Sequence, residues 1–333
     1  MSVATQAEQQ ASGIGESRRE LTALVDGCGV GRPGRALFSL SGKDRVRWLN
    51  GMVTNNVRDL AAGKGVYAFV LNAQGNILGD LYVFNRGESL IVEIEGEQAE
   101  TLIGTLRRYI IMDKVEVEDL RDKIAVIGVT GPKASGELAA AGLNSDLSEL
   151  QVAEAHWNGV SVTLVHGDNP CVPSYEIWIP AEEVESSVNA LIKTGAEAVG
   201  DETLETFRIL CGIPKVGQDI KERTLPQETG QERALNFTKG CYIGQEIVER
   251  IRARGAVHRT FTGFEIEGMA PEAGTKIQSE GKDVGDITSV MKEPLKGKRL
   301  ALGFLRKEYL DKELVAGESR VKPAAIPLLQ QFA

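Results

Sequence analysis

The spacing of apolar and polar residues predicts short strands and helices that alternate over the first part of the chain. Apolar residues flank Asn72–Asn76, a segment with Gly75 near its end, and this pattern is typical of a β-hairpin with a tight turn. Apolar positions three or four residues apart between Ala99 and Ile110 predict a helix. The predicted strands are 36–40, 66–71, 77–84 and 89–94, and the predicted helices are 18–25, 44–51 and 99–110.

A similar order of elements returns after residue 120. Asn158-Gly159 separates two apolar runs and predicts a second hairpin. Gly131-Pro132 introduces a helix, because proline suits the first helical turn, and Gly195 closes another helix. The predicted strands are 124–129, 152–157, 160–165 and 175–179, with an apolar helix face at 184–192.

The last part of the chain contains short strands punctuated by glycine and proline, with no substantial helix between them. These strands, at 259–266, 275–278, 284–291, 300–305 and 319–324, predict a small β-barrel. The predicted fold class is therefore α+β, with two α+β domains followed by a C-terminal barrel. The expected division is a mobile tail at 1–20, a first domain at 21–120, a second at 121–256 and the barrel at 257–333.

Composition narrows the classes of protein that fit. The chain has 333 residues, and 38 basic against 47 acidic side chains give a net charge of −9, which argues against a chain-wide phosphate-binding surface. No apolar run is long enough for a membrane span or a signal peptide, so we expect a cytoplasmic protein without membrane contact. The four cysteines include no close pair, which excludes the usual zinc and thioredoxin motifs.

Two weaker patterns do not support a cofactor site. Gly29–Gly34 matches G-x-G-x-x-G, but a helix precedes it and a strand follows it, the reverse of a dinucleotide-binding unit. We therefore interpret this segment as a loop. The three histidines, His156, His166 and His258, have no second ligand at metal-site spacing.

The most informative segment is Lys-Gly-Cys-Tyr-Ile-Gly-Gln-Glu at 239–246. Apolar spacing predicts a helix directly after it, ending at Gly255, so Cys241 precedes a helix N-terminus. That position and Lys239 favour the thiolate of Cys241. Gly240 and Gly244 allow close backbone approach to a ligand. The alternative is a buried cysteine beside a solvated helix.

A basic run follows this segment. Between Lys239 and Arg259 the chain carries a charge of +3, which makes an anionic partner plausible there. The alternative is an ordinary charged helix face.

The segment at 239–246 resembles the K-G-C-[FY]-x-G-Q-E signature of the YgfZ family, which is related to the glycine-cleavage T-protein (aminomethyltransferase). The resemblance covers most of the chain, including Leu49–Asn55, Asn72–Asp80, Ser174–Glu176 and Arg208–Gly217. It implies a T-protein-like arrangement of three domains around a folate-binding channel, and it allows the first two domains to interleave along the chain. It also implies that Lys239, Gly240, Cys241, Tyr242, Gly244, Gln245 and Glu246 form the functional motif.

The same resemblance suggests a folate site. Glu176, with Tyr175 beside it, stands where T-proteins have a carboxylate that grips the pterin, and a carboxylate accepts two parallel N–H bonds. Arg208 resembles the arginine that meets the folate glutamate tail, although a structural ion pair is an equal alternative. Asp80 lies near a catalytic aspartate of an Asp-Asp pair, but Gly79 replaces its partner, which puts aminomethyl transfer in doubt.

The resemblance implies a protein that binds tetrahydrofolate, or a derivative, and supports maturation or repair of iron–sulfur enzymes, including tRNA-modifying ones. Cys241 would be the functional thiol and a transient cluster ligand, completed by an iron–sulfur assembly protein or client enzyme because one cysteine cannot hold a cluster. Any contact with tRNA would be indirect. We do not expect a conventional turnover enzyme. The alternatives are a folate-dependent aminomethyltransferase, a cysteine hydrolase pairing Cys241 with His258, and an RNA-binding module at Arg250–Arg259.

Overall fold

The computed structural model describes residues 3–255 and 257–331. Its helices are α1 (Val3–Asp26), α2 (Arg45–Met52), α3 (Gly96–Arg107), α4 (Ala134–Ala140), α5 (Val184–Thr194), α6 (Asp201–Cys211) and α7 (Gln245–Arg254). The strands before residue 120 are β1 (Gly29–Gly31), β2 (Arg35–Ser41), β3 (Gly65–Leu71), β4 (Ile77–Asn85), β5 (Leu90–Glu95) and β6 (Glu116–Asp119). The next group is β7 (Ile124–Thr130), β8 (Val152–Trp157), β9 (Val160–His166), β10 (Ser174–Pro180) and β11 (Glu197–Ala198). The last group is β12 (Arg259–Glu267), β13 (Lys276–Ser279), β14 (Lys282–Val290), β15 (Arg299–Arg306), β16 (Leu314–Ala316) and β17 (Ser319–Ala324).

The chain forms two compact units that interleave along the sequence. The first unit takes the residues through Leu37 together with Asp119–Phe207, and the second takes Phe38–Glu118 with the residues from Arg208 onward. The segment at 239–246 therefore folds with the strands of residues 65–95. This division differs from the predicted boundaries, because β1 pairs with β7 and β11 and draws the start of the chain into the first unit.

The first unit is a six-stranded sheet in the order β11-β1-β7-β10-β9-β8. Alternate residues of β10 and β7 face one apolar core, which includes Ile127 and Ile177, and α4 and α5 cover it with Leu138 and Leu191. The β8–β9 turn uses left-handed backbone at Asn158 and Gly159, as the Asn-Gly pair predicts. Glu176 lies on the opposite face of β10 from this core, since neighbouring strand residues alternate in direction.

The second unit holds a five-stranded sheet in the order β3-β4-β5-β2-β6 and the closed barrel β12-β15-β14-β13-β16-β17. The α+β class with a C-terminal barrel is thus confirmed. The outer edge of β3 is covered by the segment after α2, because Thr54 exchanges hydrogen bonds with Phe69 and Asn55 donates to Tyr67. This edge contact holds Thr54 and Asn55 against β3.

Several predicted elements need correction. The first helix begins at Val3 rather than near Arg18, since the Ala- and Gln-rich segment before Arg18 has good helix propensity without an apolar stripe. Met1 and Ser2 of the predicted tail lie outside the described residues. Gly29–Gly31 is a strand and not a loop. The short strands β6, β11 and β16 gave no recognisable pattern in the sequence.

Candidate functional site

The segment at 239–246 is a loop that ends on α7, as its glycines and the apolar spacing after it predict. Gly244 is the residue before the helix and has a φ of +83°. A Cβ at this position would lie 2.6 Å from the carbonyl oxygen of Asn72 in the β3–β4 turn. The turn also has a glycine at the contact, Gly75, where a Cβ would lie 2.7 Å from Cβ of Ile247. The two glycines therefore let the loop and the hairpin turn approach each other, instead of opening a surface to a ligand.

Lys239 is buried and donates all three ammonium hydrogens to main-chain carbonyls. Nζ lies 2.6 Å from the oxygens of Asn50 and Val53 and 2.7 Å from that of Asn55. Two of these oxygens belong to the last turn of α2 and the residue that ends it, where helical carbonyls lack partners. Burial and the nearby Arg58 lower the pKa of Lys239 to about 7, whereas the three carbonyls stabilise its charged form.

The segment Asn50–Asn55 is bound to the chain around Lys239 by further hydrogen bonds. Thr54 Oγ1 donates to the carbonyl of Ala234, and Asn55 Nδ2 donates to those of Tyr67 and Arg233. Ile243 N donates to Gly51 O at 3.2 Å. The Leu49–Asn55 and 239–246 motifs therefore form one site. The sequence analysis treated the two motifs separately. The signal that could have linked them was the pair Asn55 and Asn56 shortly after the short helix α2, because amide side chains there can bind main-chain groups of another segment.

Cys241 is exposed, unlike Gly240 and Tyr242 on either side of it. Cys28 and Cys211 are buried and Cys171 is partly buried. Tyr242, the next residue, is buried in the core of the second unit with Tyr67 and Phe69, and burial raises the pKa of its hydroxyl to about 12. The thiol thus lies between a buried lysine and a buried tyrosine, which fix the main chain on both sides of it.

The expected activation of Cys241 by Lys239 has no support in the geometry. The ammonium group of Lys239 is fully used by carbonyls, so it is not a hydrogen-bond partner of the thiol. Arg58 lies beside the loop instead, with its Nη2 2.9 Å from the position of a Cβ on Gly240. Gly240 therefore admits a guanidinium beside the loop.

Gln245 and Glu246 are the first two residues of α7. Glu246 is 86% exposed and pairs with Arg250 one turn later at 2.7 Å. Arg252 reaches Glu249 and lies over the ring of Phe237. Arg259 pairs with the buried Glu228. The predicted basic run is thus largely offset by carboxylates, which favours the reading as a charged helix face.

Asp80 lies on β4 and accepts a hydrogen bond from Tyr67. The Tyr67 hydroxyl is 2.7 Å from Oδ2, and the phenol is almost completely buried. Burial, followed by the charge of Asp80, raises the pKa of Tyr67 well above its ordinary value, so Tyr67 stays a donor. The guanidinium of Arg233 lies over the Tyr67 ring at 4.6 Å.

Gly79 is fixed by packing on the other face of β4. A Cβ at this position would lie 2.8 Å from a methyl carbon of Leu102 on α3. An aspartate there would place its carboxylate against this leucine, away from the face that holds Asp80. The missing member of the Asp-Asp pair is therefore built into the packing of α3.

Glu176 is partly buried on β10, and its Oε2 accepts a hydrogen bond from Trp178 Nε1 at 3.0 Å. Among the described residues, Oε1 has no hydrogen-bond partner. Tyr175 points to the opposite face, where it is buried and stacks on His166 with 4.6 Å between ring centroids. Glu176 therefore retains acceptor capacity, while Tyr175 serves the core.

Arg208 is part of a buried polar cluster in the second unit. It pairs with Asp219 at 2.8 Å, and the Asp219 side chain is fully buried. Its other donors reach the carbonyl of Ile213 and the hydroxyl of Ser289 on β14. Thr288 and Ser289 also donate to Asp219. This placement favours the structural ion pair, the alternative that the sequence left open.

The remaining sequence alternatives gain no geometry from the structure. No hydrogen bond joins Cys241 to His258 in the described part of the chain. Residues 3–255 and 257–331 contain no group of three or more His, Cys, Asp or Glu side chains arranged to hold a metal ion. None of the helices that the structure describes is long and apolar enough to cross a membrane.

Comparison with known families decides the assignment. A family model described as the GCVT N-terminal domain matches residues 22–239, which is more than half of the chain. The chain belongs to the GCVT family. Residues 255–329 match a second model, the CAF17 C-terminal beta-barrel domain, and cover the barrel described above. The two matches agree with the resemblance to YgfZ proteins and support a folate-binding family.

Relatives of this GCVT-family chain are similar over most of their length. It is 27% identical over 297 residues to an aminomethyltransferase of Rubrobacter xylanophilus, covering 88% of this chain and 78% of the relative. It is 27% identical over 284 residues to an aminomethyltransferase of Rippkaea orientalis, covering 80% and 75%.

A solved structure shows the same fold as this GCVT-family chain. The glycine cleavage system aminomethyltransferase T of Bartonella henselae superposes with a TM-score of 0.85 at 20% identity, over 95% of this chain and 90% of that protein. The predicted T-protein-like fold is thus confirmed.

Proposed function

We propose that this GCVT-family protein binds a tetrahydrofolate and supports the maturation or repair of iron–sulfur enzymes, including tRNA-modifying ones, through the thiol of Cys241. The observation that carries the thiol role is its exposure on a main chain held by two buried neighbours, Lys239 and Tyr242. Such a thiol is presented to a partner while the loop around it stays fixed. The partner is an iron–sulfur assembly protein or a client enzyme in the cytoplasm.

Folate fits the acceptor chemistry of Glu176. A pterin edge presents N–H donors, and Oε1 of Glu176 is a carboxylate oxygen with no partner among the described residues. When bound, a tetrahydrofolate supplies a nitrogen that carries a one-carbon unit. Glu176 would hold the pterin, and Trp178 would hold the carboxylate in orientation. We assign no folate contact to Arg208, whose donors bind Asp219, Ile213 and Ser289.

An iron–sulfur cluster does not fit this chain's residues alone. Such clusters take four ligands, whereas the described residues offer Cys241 without other ligands grouped around it. The remaining ligands would come from the partner, and we derive no step through a cluster.

The folate arm is tested by calorimetry with 5-formyltetrahydrofolate, a stable reduced folate. Glu176→Ala should weaken binding about tenfold to a hundredfold, because a charge-assisted contact is lost. Glu185→Ala, an exposed glutamate of α5 in the same unit, is the matched control. Unchanged affinity in a folded Glu176→Ala protein would remove Glu176 from the site.

The thiol arm is tested by deleting the gene and complementing with Cys241→Ser. Several iron–sulfur enzyme activities should stay low, while 5-formyltetrahydrofolate still binds the variant, because serine keeps the size but not the redox chemistry or metal affinity of cysteine. Cys171→Ser, a partly buried cysteine outside the motif, should complement fully. Full complementation by Cys241→Ser would sink the thiol role.

Reactivity gives an independent check on the thiol. Burial, followed by the charge of Glu137, raises the pKa of Cys28 to about 12. At pH 8 its thiolate is therefore roughly ten-thousandfold scarcer than its thiol. Iodoacetamide should modify Cys241 first and leave Cys28 intact until unfolding, as peptide mass mapping over time would show. Equal rates at the two cysteines would mean that the loop is not open.

The second candidate is a folate-dependent aminomethyltransferase, favoured by the fold and by the names of the relatives. The packing of Gly79 against Leu102 weighs against it, because a second aspartate there would require the Leu102 side chain to move. An assay of folate-dependent methylamine release decides: turnover that is lost in Asp80→Asn would establish this activity and displace the first proposal.

A further inference from the structure

A chain of hydrogen bonds joins the motif lysine to Asp80 inside the second unit. Lys239 Nζ donates to the carbonyl of Asn55 at 2.7 Å. Asn55 Nδ2 donates to the carbonyls of Tyr67 and Arg233, both at 2.8 Å. The Tyr67 hydroxyl donates to Asp80 at 2.7 Å. Asn55 is 8% exposed and Tyr67 is 4% exposed, whereas Asp80 at the end of the chain of hydrogen bonds is partly buried.

We propose that Lys239 is a positioning residue for Asp80, acting through Asn55 and Tyr67. The lysine fixes the main chain at Asn55, the amide of Asn55 fixes the main chain at Tyr67, and this sets the phenol hydroxyl on the carboxylate. The lysine of the motif thereby serves a group on β4 rather than the neighbouring thiol. Only the consequence for folate rests on the proposed function, since the hydrogen-bond chain itself exists without ligand.

The Tyr67 ring has little freedom to reach Asp80 in another way. Its centroid lies 5.6 Å from that of Phe69 and 4.9 Å from that of Tyr82, and Arg233 covers its face. Phe69 stands directly opposite Asp80 in the β3–β4 ladder. Because the ring is enclosed, the position of its hydroxyl follows from the position of the Tyr67 main chain.

Phe69 is held by the same segment that carries Asn55. Thr54 Oγ1 accepts from Phe69 N at 2.9 Å, and Thr54 N donates to Phe69 O at 3.0 Å. The segment bound by Lys239 thus fixes β3 at two successive inward-facing residues, Tyr67 and Phe69. A shift of this segment would move the phenol donor relative to Asp80 on the next strand.

Several titratable and charged groups of the described residues share this sheet face. Tyr67 on β3, Tyr82 on β4 and Glu93 on β5 lie in one cross-strand row next to Asp80, and Arg233 lies above Tyr67. Glu95, two residues after Glu93 on β5, shares the face and lies 3.8 Å from Nζ of Lys215. A hydrogen bond to the ionised carboxylate favours ionisation, so loss of the phenol donor raises the pKa of Asp80. The charges of Glu93 and Arg233 are unchanged by the substitutions used below.

The test is a pH titration of Asp80 in the full chain with 13C-labelled aspartate, observed by NMR, with Asp80→Asn to assign the signal. Tyr67→Phe should raise the pKa of Asp80 by about one unit, the size expected for one hydrogen bond to a charged group. Lys239→Met should also raise the pKa of Asp80, by a smaller amount. The double variant should match Tyr67→Phe alone, because both substitutions act through the same hydroxyl.

Three control variants separate positioning from general damage. Tyr309→Phe removes a phenol hydroxyl in the barrel, and Lys298→Met removes an exposed lysine, so neither should change the pKa of Asp80. Asn55→Ser keeps the main-chain carbonyl that Lys239 binds and loses the side-chain amide that binds Tyr67. It should therefore raise the pKa of Asp80 as Lys239→Met does. An unchanged pKa of Asp80 in folded Lys239→Met, or pKa shifts that add in the double variant, would overturn the proposal. Failure of both Lys239→Met and Asn55→Ser to fold would also overturn it in favour of a purely structural lysine.

A ligand arm separates this inference from the proposed function. Calorimetry with 5-formyltetrahydrofolate between about pH 4 and 8 should show the midpoint of its pH dependence move upward in Tyr67→Phe and Lys239→Met. If the unmodified protein does not bind this folate, the proposed function fails, while the NMR titration still decides the role of Lys239.

Discussion

Two cations of the second unit, the buried Lys239 and the partly buried Arg208, are held in opposite ways. Lys239 is surrounded by main-chain carbonyls, and no carboxylate lies within ion-pair distance of it in the described part of the chain. Arg208 is paired with a fully buried carboxylate, Asp219, and with the hydroxyl of Ser289. Both residues were candidates for direct function from the sequence, and both have their hydrogen-bond donors used inside the protein.

The difference shows what each cation stabilises. Carbonyl dipoles fix the course of a main chain, so Lys239 determines the conformation of the segment after α2. An ion pair joins side chains, so Arg208 and Asp219 connect α6 to the barrel strand β14 through Ser289. Removal of Lys239 leaves neutral acceptors behind, whereas removal of Asp219 leaves an unpaired buried charge. Removal of Asp219 should therefore lower the free energy of unfolding more than removal of Lys239.

The largest effect is expected for Asp219→Asn. The substitution keeps the shape but leaves Arg208 without its counter-charge, which should lower the free energy of unfolding by about 3–5 kcal/mol. Urea unfolding followed by circular dichroism measures the change. Asp283→Asn, an exposed aspartate of β14, should change it by less than about 0.5 kcal/mol.

Removing both charges sharpens the comparison. Arg208→Met combined with Asp219→Leu should recover most of that stability, because no charge is then left unpaired. A double variant as unstable as Asp219→Asn would mean that the hydroxyls of Thr288 and Ser289 matter more than the ion pair.

A smaller loss, about 2–3 kcal/mol, is expected for Lys239→Met. Three carbonyl oxygens then lose their partner, although water can enter to satisfy some of them. No second substitution can restore this loss, because the acceptors belong to the main chain. Urea unfolding of Lys239→Met beside Lys298→Met measures it, and a loss as large as that of Asp219→Asn would contradict the distinction between the two cations.

Local chemistry made much of the fold predictable from the sequence. The hairpin at Asn72–Asn76, the Asn158-Gly159 turn and the helix that ends at Gly255 all follow from residues next to one another. The barrel followed from regular glycine and proline spacing, but β16 has only three residues and was missed. The interleaving of the two units depends on pairing of β1 with β7, about a hundred residues apart, which no local pattern records.

The candidate site was predictable only in part, for the same reason. The loop at 239–246 and the helix after it could be anticipated from the sequence, whereas the exposure of Cys241 was left open against a buried cysteine. The partners of Lys239 lie 184 to 189 residues away, so spacing alone placed the lysine with the thiol two residues on. Arg208 was equally ambiguous, because Asp219 and Ser289 come from separate elements.

The smallest effect tests the glycine that lets the Lys239 loop pack on the hairpin turn. Gly244→Ala places a Cβ 2.6 Å from the carbonyl of Asn72 and forces alanine into left-handed backbone, which should cost about 1–2 kcal/mol. Gly104→Ala is the matched control, because a Cβ there meets nothing within 4 Å and alanine favours the helix.

The coupling of Gly244 to the two cations completes the comparison. Combined with Lys239→Met, Gly244→Ala should cost less than the sum of the single losses, because both substitutions loosen the same loop. Combined with Asp219→Asn, the losses should add, since that cluster shares no partner with the loop. Additivity in the first pair, measured by urea unfolding, would mean that Lys239 holds the segment after α2 independently of how the loop is seated on the turn.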